Sequence, residues 1–200
     1  MDERLPAARA IRFQRRYDAG RLRADCDAAA AHAAWVAKPE LGRYRGWSAL
    51  PLHASGGGMG LDAVHGHVHE SEHAKCTPTP LLSRCPYVAG LLDELPAPKL
   101  RVRLMRLEPG GRIGLHRDRA YGWTQPVLRL HVPVLTHPGV TFLLDGERLT
   151  MEPGELWYVD TTRDHEVSNE SPADRVHLVI DLVNSEPLRT CLGRTWDLLL

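Results

Sequence analysis

Three side chains in the second half of the chain have the types and spacing for metal chemistry. His116-Arg117-Asp118 is a His-x-Asp, and His165 follows some fifty residues later. Two imidazoles and one carboxylate form the ligand set of a mononuclear Fe(II) oxygenase centre, which leaves adjacent coordination positions open for a co-substrate and O2. On an extended segment, residues i and i+2 point to the same side, so His116 and Asp118 can reach one ion. His165 must then come from a distant strand. Arg175, ten residues beyond His165, has the planar fork that grips a carboxylate bidentately. A metal beside such an arginine is what a dicarboxylate co-substrate such as 2-oxoglutarate needs.

The elements that must position these groups can be read from periodicity. Between Val127 and Val134, Leu128, Leu130, Val132 and Val134 fall on one face of a strand, with Arg129 and His131 on the other. Between Arg175 and Leu182, Val176, Leu178, Ile180 and Leu182 share one face, and Arg175, His177 and Asp181 share the second. Arg129 and His131 are therefore further candidates for the co-substrate. An ion pair of Arg129 with Glu152 or Glu155 is the plain structural alternative. Arg103 is a candidate substrate contact or a surface arginine. Tyr121 and Trp123, in the polar connection after Asp118, are candidate substrate contacts, while Trp157 reads as core.

Turn signals recur through this half at Pro109-Gly110-Gly111, His137-Pro138-Gly139, Asp145-Gly146, Pro153-Gly154 and Ser171-Pro172. Short strands at such spacing predict a sandwich or barrel, and Asp145-Gly146 predicts a two-residue hairpin. Upstream, the alanine-rich stretch from Asp18 to Lys38 predicts a helix capped by Asp18 and stopped by Pro39. Residues 1–17 read as a loose arm or a short first strand, residues 44–53 as a strand, and residues 81–94 as a short helix. Residues 54–80 read as a long loop carrying His65, His67, His69, His73 and Cys76. The fold class is mainly β: a double-stranded β-helix (jelly roll, cupin-like) with an N-terminal helical part packed against it. One domain is expected over 1–200, with 1–98 as support and lid loop and 99–183 as the β-helix core.

Composition narrows the partners. The 25 basic and 25 acidic residues balance, so no basic excess exists to drive binding to nucleic acid. No apolar run approaches the ~20 residues of a membrane span, and the charged N-terminus lacks the apolar core of a secretory signal. Four scattered cysteines without a Cys-x-x-Cys read as reduced thiols, and the expectation is a cytoplasmic protein.

Several of these pieces together resemble the aspartyl/asparaginyl β-hydroxylase family of Fe(II)/2-oxoglutarate dioxygenases, in its small bacterial single-domain form. They are Val102 to Gly110, His116-Arg117-Asp118, Leu128-Arg129-Leu130-His131-Val132-Pro133, Gly154-Glu155-Leu156-Trp157, and His165-Glu166-Val167-Ser168-Asn169 leading to Arg175. The close likeness covers residues 99–183. It implies Fe(II) on His116, Asp118 and His165, and 2-oxoglutarate on Arg129, His131 and Arg175. It also implies O2 as oxidant, with hydroxylation of a C–H bond in an amino acid or peptide that yields succinate and CO2. Asp118 stands where a halogenase would leave room for halide. Two rival readings are a cupin-type metal enzyme without 2-oxoglutarate, using His65, His67 and His165, and a non-catalytic jelly-roll module that binds carboxylates.

Overall fold

The computed structural model describes residues 7–39, 42–65, 70–118, 120–193 and 196–200. Strand β1 (Ala10–Arg16) leads into helix α1 (Ala19–His32), then β2 (Val36–Ala37) and β3 (Tyr44–Ser55). A short helix α2 (Leu61–Val64), a 3-10 turn (Glu70–Lys75), β4 (Cys76–Pro78), a second 3-10 turn (Pro80–Arg84) and α3 (Pro86–Asp93) follow. The second half is nearly all strand: β5 (Lys99–His116), β6 (Val127–Leu135), β7 (Val140–Leu144), β8 (Glu147–Leu149), β9 (Glu155–Val159), β10 (His165–Asn169) and β11 (Arg175–Val183). Helix α4 (Glu186–Gly193) and β12 (Trp196–Leu199) close the chain.

The strands pair antiparallel in the order β12-β1-β9-β6-β11-β5-β10-β7-β8, and β3 lies along the other edge of β5 carrying β2 and β4. Mainly antiparallel sheet is thereby curled into the half-barrel of a jelly roll. Strand β5 makes the curl. Its first half pairs with β11, from Leu182↔Lys99 to Arg175↔Leu107, and its end pairs with β10 at His165↔His116. Between these lies Pro109-Gly110-Gly111. The expected turn is instead an irregularity inside one 18-residue strand, where Gly110 has φ +72°. A Cβ on Gly111 would stand 2.7 Å from the Glu108 carbonyl and 2.9 Å from Leu107 Cδ1.

Both faces of the central strands are dry. The apolar face of β6 and β11 packs with Leu104 of β5 against Leu22, Cys26 and Ala29 of α1, Val88, Leu91 and Leu92 of α3, and Leu188 and Leu192 of α4. The polar face turns into the barrel, where Arg129, His131, Arg175, His177 and Asp181 are all buried. A smaller apolar cluster fills the rest of the interior, with Trp47, Leu107, Ile113, Phe142, Trp157 and Val167 among its members. Buried apolar area drives folding at ~25 cal/mol per Å2, and here the layer between sheet and helices supplies most of it. That leaves the barrel interior for polar groups.

Several expectations need correction. Asp18 caps α1 by accepting from the Arg21 N–H, but the helix ends at His32, not near Lys38. Ala33 turns extended at φ −149°, which frees Val36–Ala37 to pair with Ala49 and Ser48. The stretch before residue 99 carries strand as well as helix, and its strands join the main sheet: β1 runs between β12 and β9, and β3 edges β5. The 54–80 stretch contains α2 and β4 as well as loop, and His67 and His69 lie outside the described residues. The hairpin at Asp145-Gly146 forms, with φ +50° and +80°. All four cysteines are free, and no helix of the described residues is long and apolar enough to cross a membrane.

The β5 curl predicts an asymmetry between neighbouring glycines. Gly110→Ala meets open space and bears only the left-handed backbone, about 1 kcal/mol. Gly111→Ala must displace the Glu108 backbone and should lose ~3 kcal/mol in urea unfolding.

Candidate active site

His116 ends β5, Asp118 lies two residues beyond it, and His165 opens β10 as the cross-strand partner of His116. One ligand atom from each lies within 4.8 Å of the others. The two rings are 4.1 Å apart, centre to centre. Each Nδ1 faces a backbone carbonyl: His116 that of Gly114 at 2.9 Å, and His165 that of Arg163 at 3.0 Å. A carbonyl can only accept, so each Nδ1 carries the proton and each Nε2 presents a lone pair. Burial lowers both imidazole pKa values, the residues closest by adding to or opposing it. Both rings are thus neutral, as a metal requires. The Asp118 backbone N–H is tied to the Thr161 carbonyl at 2.7 Å. A donor set of two imidazoles and a carboxylate fits Fe(II).

Behind the carboxylate is a chain of buried charge. Arg129 Nη1 donates to Asp118 Oδ2 at 2.6 Å, while its Nε and Nη2 donate to the two oxygens of Asp181 at 2.6 and 3.0 Å. Arg103 Nη2 reaches the same Asp181 at 2.6 Å, and its Nη1 donates to the Val64 carbonyl at 2.9 Å. The Tyr121 ring covers Arg129 at 3.6 Å. Burial opposes the charge on Asp118 and Asp181. The cations around each carboxyl, Arg129 foremost at both and Arg103 next at Asp181, together outweigh it, so each carboxyl titrates below its ordinary value. Arg129 is therefore paired with neither Glu152 nor Glu155. Glu155 pairs with Arg16 at 2.6 Å. Most of the Arg129 fork holds Asp118 and Asp181, which departs from the expected grip on a co-substrate carboxylate.

Arg175 is the opposite case. It is 4% exposed, its Nε has no partner, and no described carboxylate pairs with it. Burial alone pushes its guanidinium down to about 9, still charged at neutral pH. His131 lies one strand away with both ring nitrogens unpartnered. Burial, then Arg129 and Arg175, hold that ring well below its ordinary pKa. Arg175, His131 and the His116–Asp118–His165 group line one cavity of about 240 Å3. Its apolar wall includes Trp47, Met105, Ile113, Phe142 and Val167. A buried, unmatched cation facing a cavity is a site for an anion.

The structure brings together all six residues expected to hold metal and co-substrate. Arg103 and Tyr121 also line the cavity, though Arg103 is buried and engaged with Asp181, not on the surface. Trp123 is a correction. It is 3% exposed within the core under the sheet, edge-on to Tyr158 at 5.4 Å, and away from the cavity. Trp157 is core, its Nε1 donating to Glu155 at 2.7 Å. His65 lines the cavity but packs tilted against Trp47, 5.1 Å between ring centres, and stays outside the metal cluster, which removes the geometric basis of a His65/His165 centre. Sequence reasoning missed three groups. Asp181 was visible only as a member of the inward row. Thr161, whose buried hydroxyl has no partner, and Lys38 also line the cavity, and no pattern marks either.

The fold and this donor set define a jelly-roll Fe(II) oxygenase architecture. The family model for aspartyl/asparaginyl β-hydroxylases matches residues 16–185, and the chain belongs to that family of Fe(II)/2-oxoglutarate-dependent dioxygenases. Similar solved folds include HygX of Streptomyces hygroscopicus with nickel and 2-oxoglutarate bound (TM-score 0.56, 10% identity, 90% of this chain and 84% of that one). A 2OG-Fe(II) oxygenase family oxidoreductase of Burkholderia pseudomallei aligns at TM-score 0.54 and 16% identity, over 84% and 80% of the two chains. A Pseudomonas putida prolyl-4-hydroxylase aligns at TM-score 0.51 and 14% identity, over 92% and 96%. At these identities they support the shared fold alone.

Asp181→Asn leaves two buried guanidinium groups short of a counter-charge and should destabilise the fold by ~3–5 kcal/mol. The Asp181 contribution has a definite pH sign. Its folded pKa is depressed, so the stabilisation is present above the unfolded value near 3.9 and disappears as pH falls through the folded value. Urea midpoints of wild type and variant should therefore converge only at strongly acidic pH.

Proposed function

We propose that the protein is a hydroxylase that acts on an unactivated C–H bond of an amino acid or amino-acid residue, with 2-oxoglutarate converted to succinate and CO2. The observation that carries this reading is the placement of the His116–Asp118–His165 group and the unpaired Arg175 on the walls of one cavity. In this reading His116, Asp118 and His165 hold Fe(II), which supplies O2 activation coupled to 2-oxoglutarate decarboxylation. Arg175 binds the far carboxylate of 2-oxoglutarate. His131, neutral and unpartnered, donates one hydrogen bond to the same molecule.

The remaining groups position these. Arg129 orients Asp118 and keeps it ionised. The Gly114 and Arg163 carbonyls fix the two imidazole tautomers. Ile113, Phe142 and Val167 exclude water from the reacting centre, which strengthens each charge interaction there. A purely binding jelly-roll module would need Arg175 but not the converging metal donors, so the donor cluster favours the enzyme.

Protein reconstituted anaerobically with Fe(II), then given 2-oxoglutarate, O2 and a panel of amino acids and peptides, should form succinate in a substrate-stimulated way. His165→Ala should abolish this through loss of iron. Arg175→Met should weaken 2-oxoglutarate by 100-fold or more, as expected for removal of a buried charge partner. The same variant removes an unmatched buried cation, so without metal and co-substrate it should be more stable than wild type by about 1 kcal/mol or more. At 100 times the wild-type Kd, 2-oxoglutarate should stabilise wild type by ~2.7 kcal/mol and Arg175→Met by no more than ~0.4 kcal/mol. An unfolding midpoint indifferent to 2-oxoglutarate in metal-loaded wild type would defeat the reading.

A further inference from the structure

Four cations line the cavity among the described residues: Lys38, Arg103, Arg129 and Arg175. Arg103 and Arg129 are matched by Asp181 and Asp118. If the reading above holds, Arg175 is matched by 2-oxoglutarate. Lys38 is left over. Its ammonium sits 3.4 Å over the Tyr44 ring, and the Tyr44 ring stands 6.1 Å from that of His116. No described carboxylate lies within ion-pair reach of Lys38, and Asp118 attracts it only at a distance. Asp118 is also the one acidic side chain among the described lining residues, and Arg129 already holds it. The described wall has a cation for a substrate carboxylate and no free carboxylate for a substrate ammonium.

A second group complements Lys38. His65 lines the same cavity, its ring tilted against Trp47. Its Nε2 is buried without a partner, while the ring is hydrogen-bonded to the Ala37 backbone. Burial, with Lys38 and Arg103 nearby, pushes its pKa down to about 4, so the ring is neutral. A neutral ring that donates to a carbonyl through Nδ1 leaves Nε2 as a bare acceptor. The cavity thus offers an N–H acceptor, a carboxylate-binding cation and the apolar wall of Trp47, Val64, Met105 and Ile113.

We propose that the substrate is an amide-bearing carboxylate, whose carboxylate binds the Lys38 ammonium and whose N–H donates to His65 Nε2. N-acylated amino acids and the C-terminal residue of a short peptide share this chemistry. The assignment rests on the hydroxylase reading, because it takes Arg175 as occupied by 2-oxoglutarate.

The test is anaerobic calorimetry on protein loaded with Fe(II) and 2-oxoglutarate. The probes are N-acetyl amino acids, their methyl esters, the free amino acids, and tripeptides with a free carboxylate. At least one N-acetyl acid or tripeptide should bind tenfold or more tightly than both its ester and the free amino acid, and the two probe sets tell the two sources apart. Lys38→Met should weaken that binding tenfold or more and raise KM in turnover with little change in kcat. Lys38→Arg should restore most of it, and the 2-oxoglutarate Kd should be unchanged in both variants. Equal binding of acid and ester, tighter binding of free amino acids, an unaffected Lys38→Met, or no binding by any acylated acid would each overturn the substrate assignment. If wild type fails to bind 2-oxoglutarate, the hydroxylase reading itself falls.

Discussion

The interior of this barrel depends on one buried carboxylate. Asp181 is 1% exposed and stands on the middle of three adjacent strands, with Arg129 opposite it on β6 and Arg101 opposite it on β5. It accepts from Arg129 through both oxygens and from Arg103 through one. Desolvating this many ions is expensive, and a buried ion pair is seldom more stable than the apolar residues that could replace it. Stability is therefore a weak reason for the network. Positioning is a stronger one: Asp181 aligns Arg129, Arg129 holds Asp118, and Asp118 belongs to the candidate metal group with His116 and His165.

The same sheet handles its other inward cation in the opposite way. Arg103 and Arg129 are matched, whereas Arg175 has no carboxylate among the described residues. A matched cation is fixed in place and contributes direction. An unmatched one is a destabilised group that a ligand can relieve, so the energy lost on folding returns on binding. His131, with both ring nitrogens unpartnered between these two arginines, extends the unmatched region. The split between satisfied and unsatisfied polar groups separates the positioning side of the site from the binding side more sharply than residue type does.

Much of this was legible in the sequence because strand alternation is a strict period. Arg129 and His131 against Leu128 and Leu130, or Arg175 and Asp181 against Leu178 and Ile180, assign faces directly. The His-x-Asp and the distal histidine then indicate which face is interior. Alternation could not say that both faces are buried, because that depends on α1, α3 and α4 covering the outside. Nor could it show how the interior charges pair. Arg129 faces a choice among several carboxylates, and strand register decides for Asp181 over the glutamates near residue 155. Trp123 was misplaced because an aromatic close in sequence to Asp118 can still turn beneath the sheet. Pro109-Gly110-Gly111 carries every sign of a chain-reversing turn, yet β3 pairs on both sides of it and holds it within one strand.

That irregularity also explains how the site is assembled. Arg175 registers with Leu107, and His165 with His116. Both halves of the site are thus measured off one strand, nine residues apart. At roughly 3.3 Å per residue a straight strand would separate these positions by about 30 Å, far more than a five-carbon dicarboxylate spans. They line a single cavity of about 240 Å3 because β5 bends over at Gly110 and Gly111 between the two registers. The bend sets the distance between the His116–Asp118–His165 group and Arg175. The glycine pair therefore acts on the geometry of the cavity without lining it, in the same way that Asp181 acts on the His116–Asp118–His165 group through Arg129.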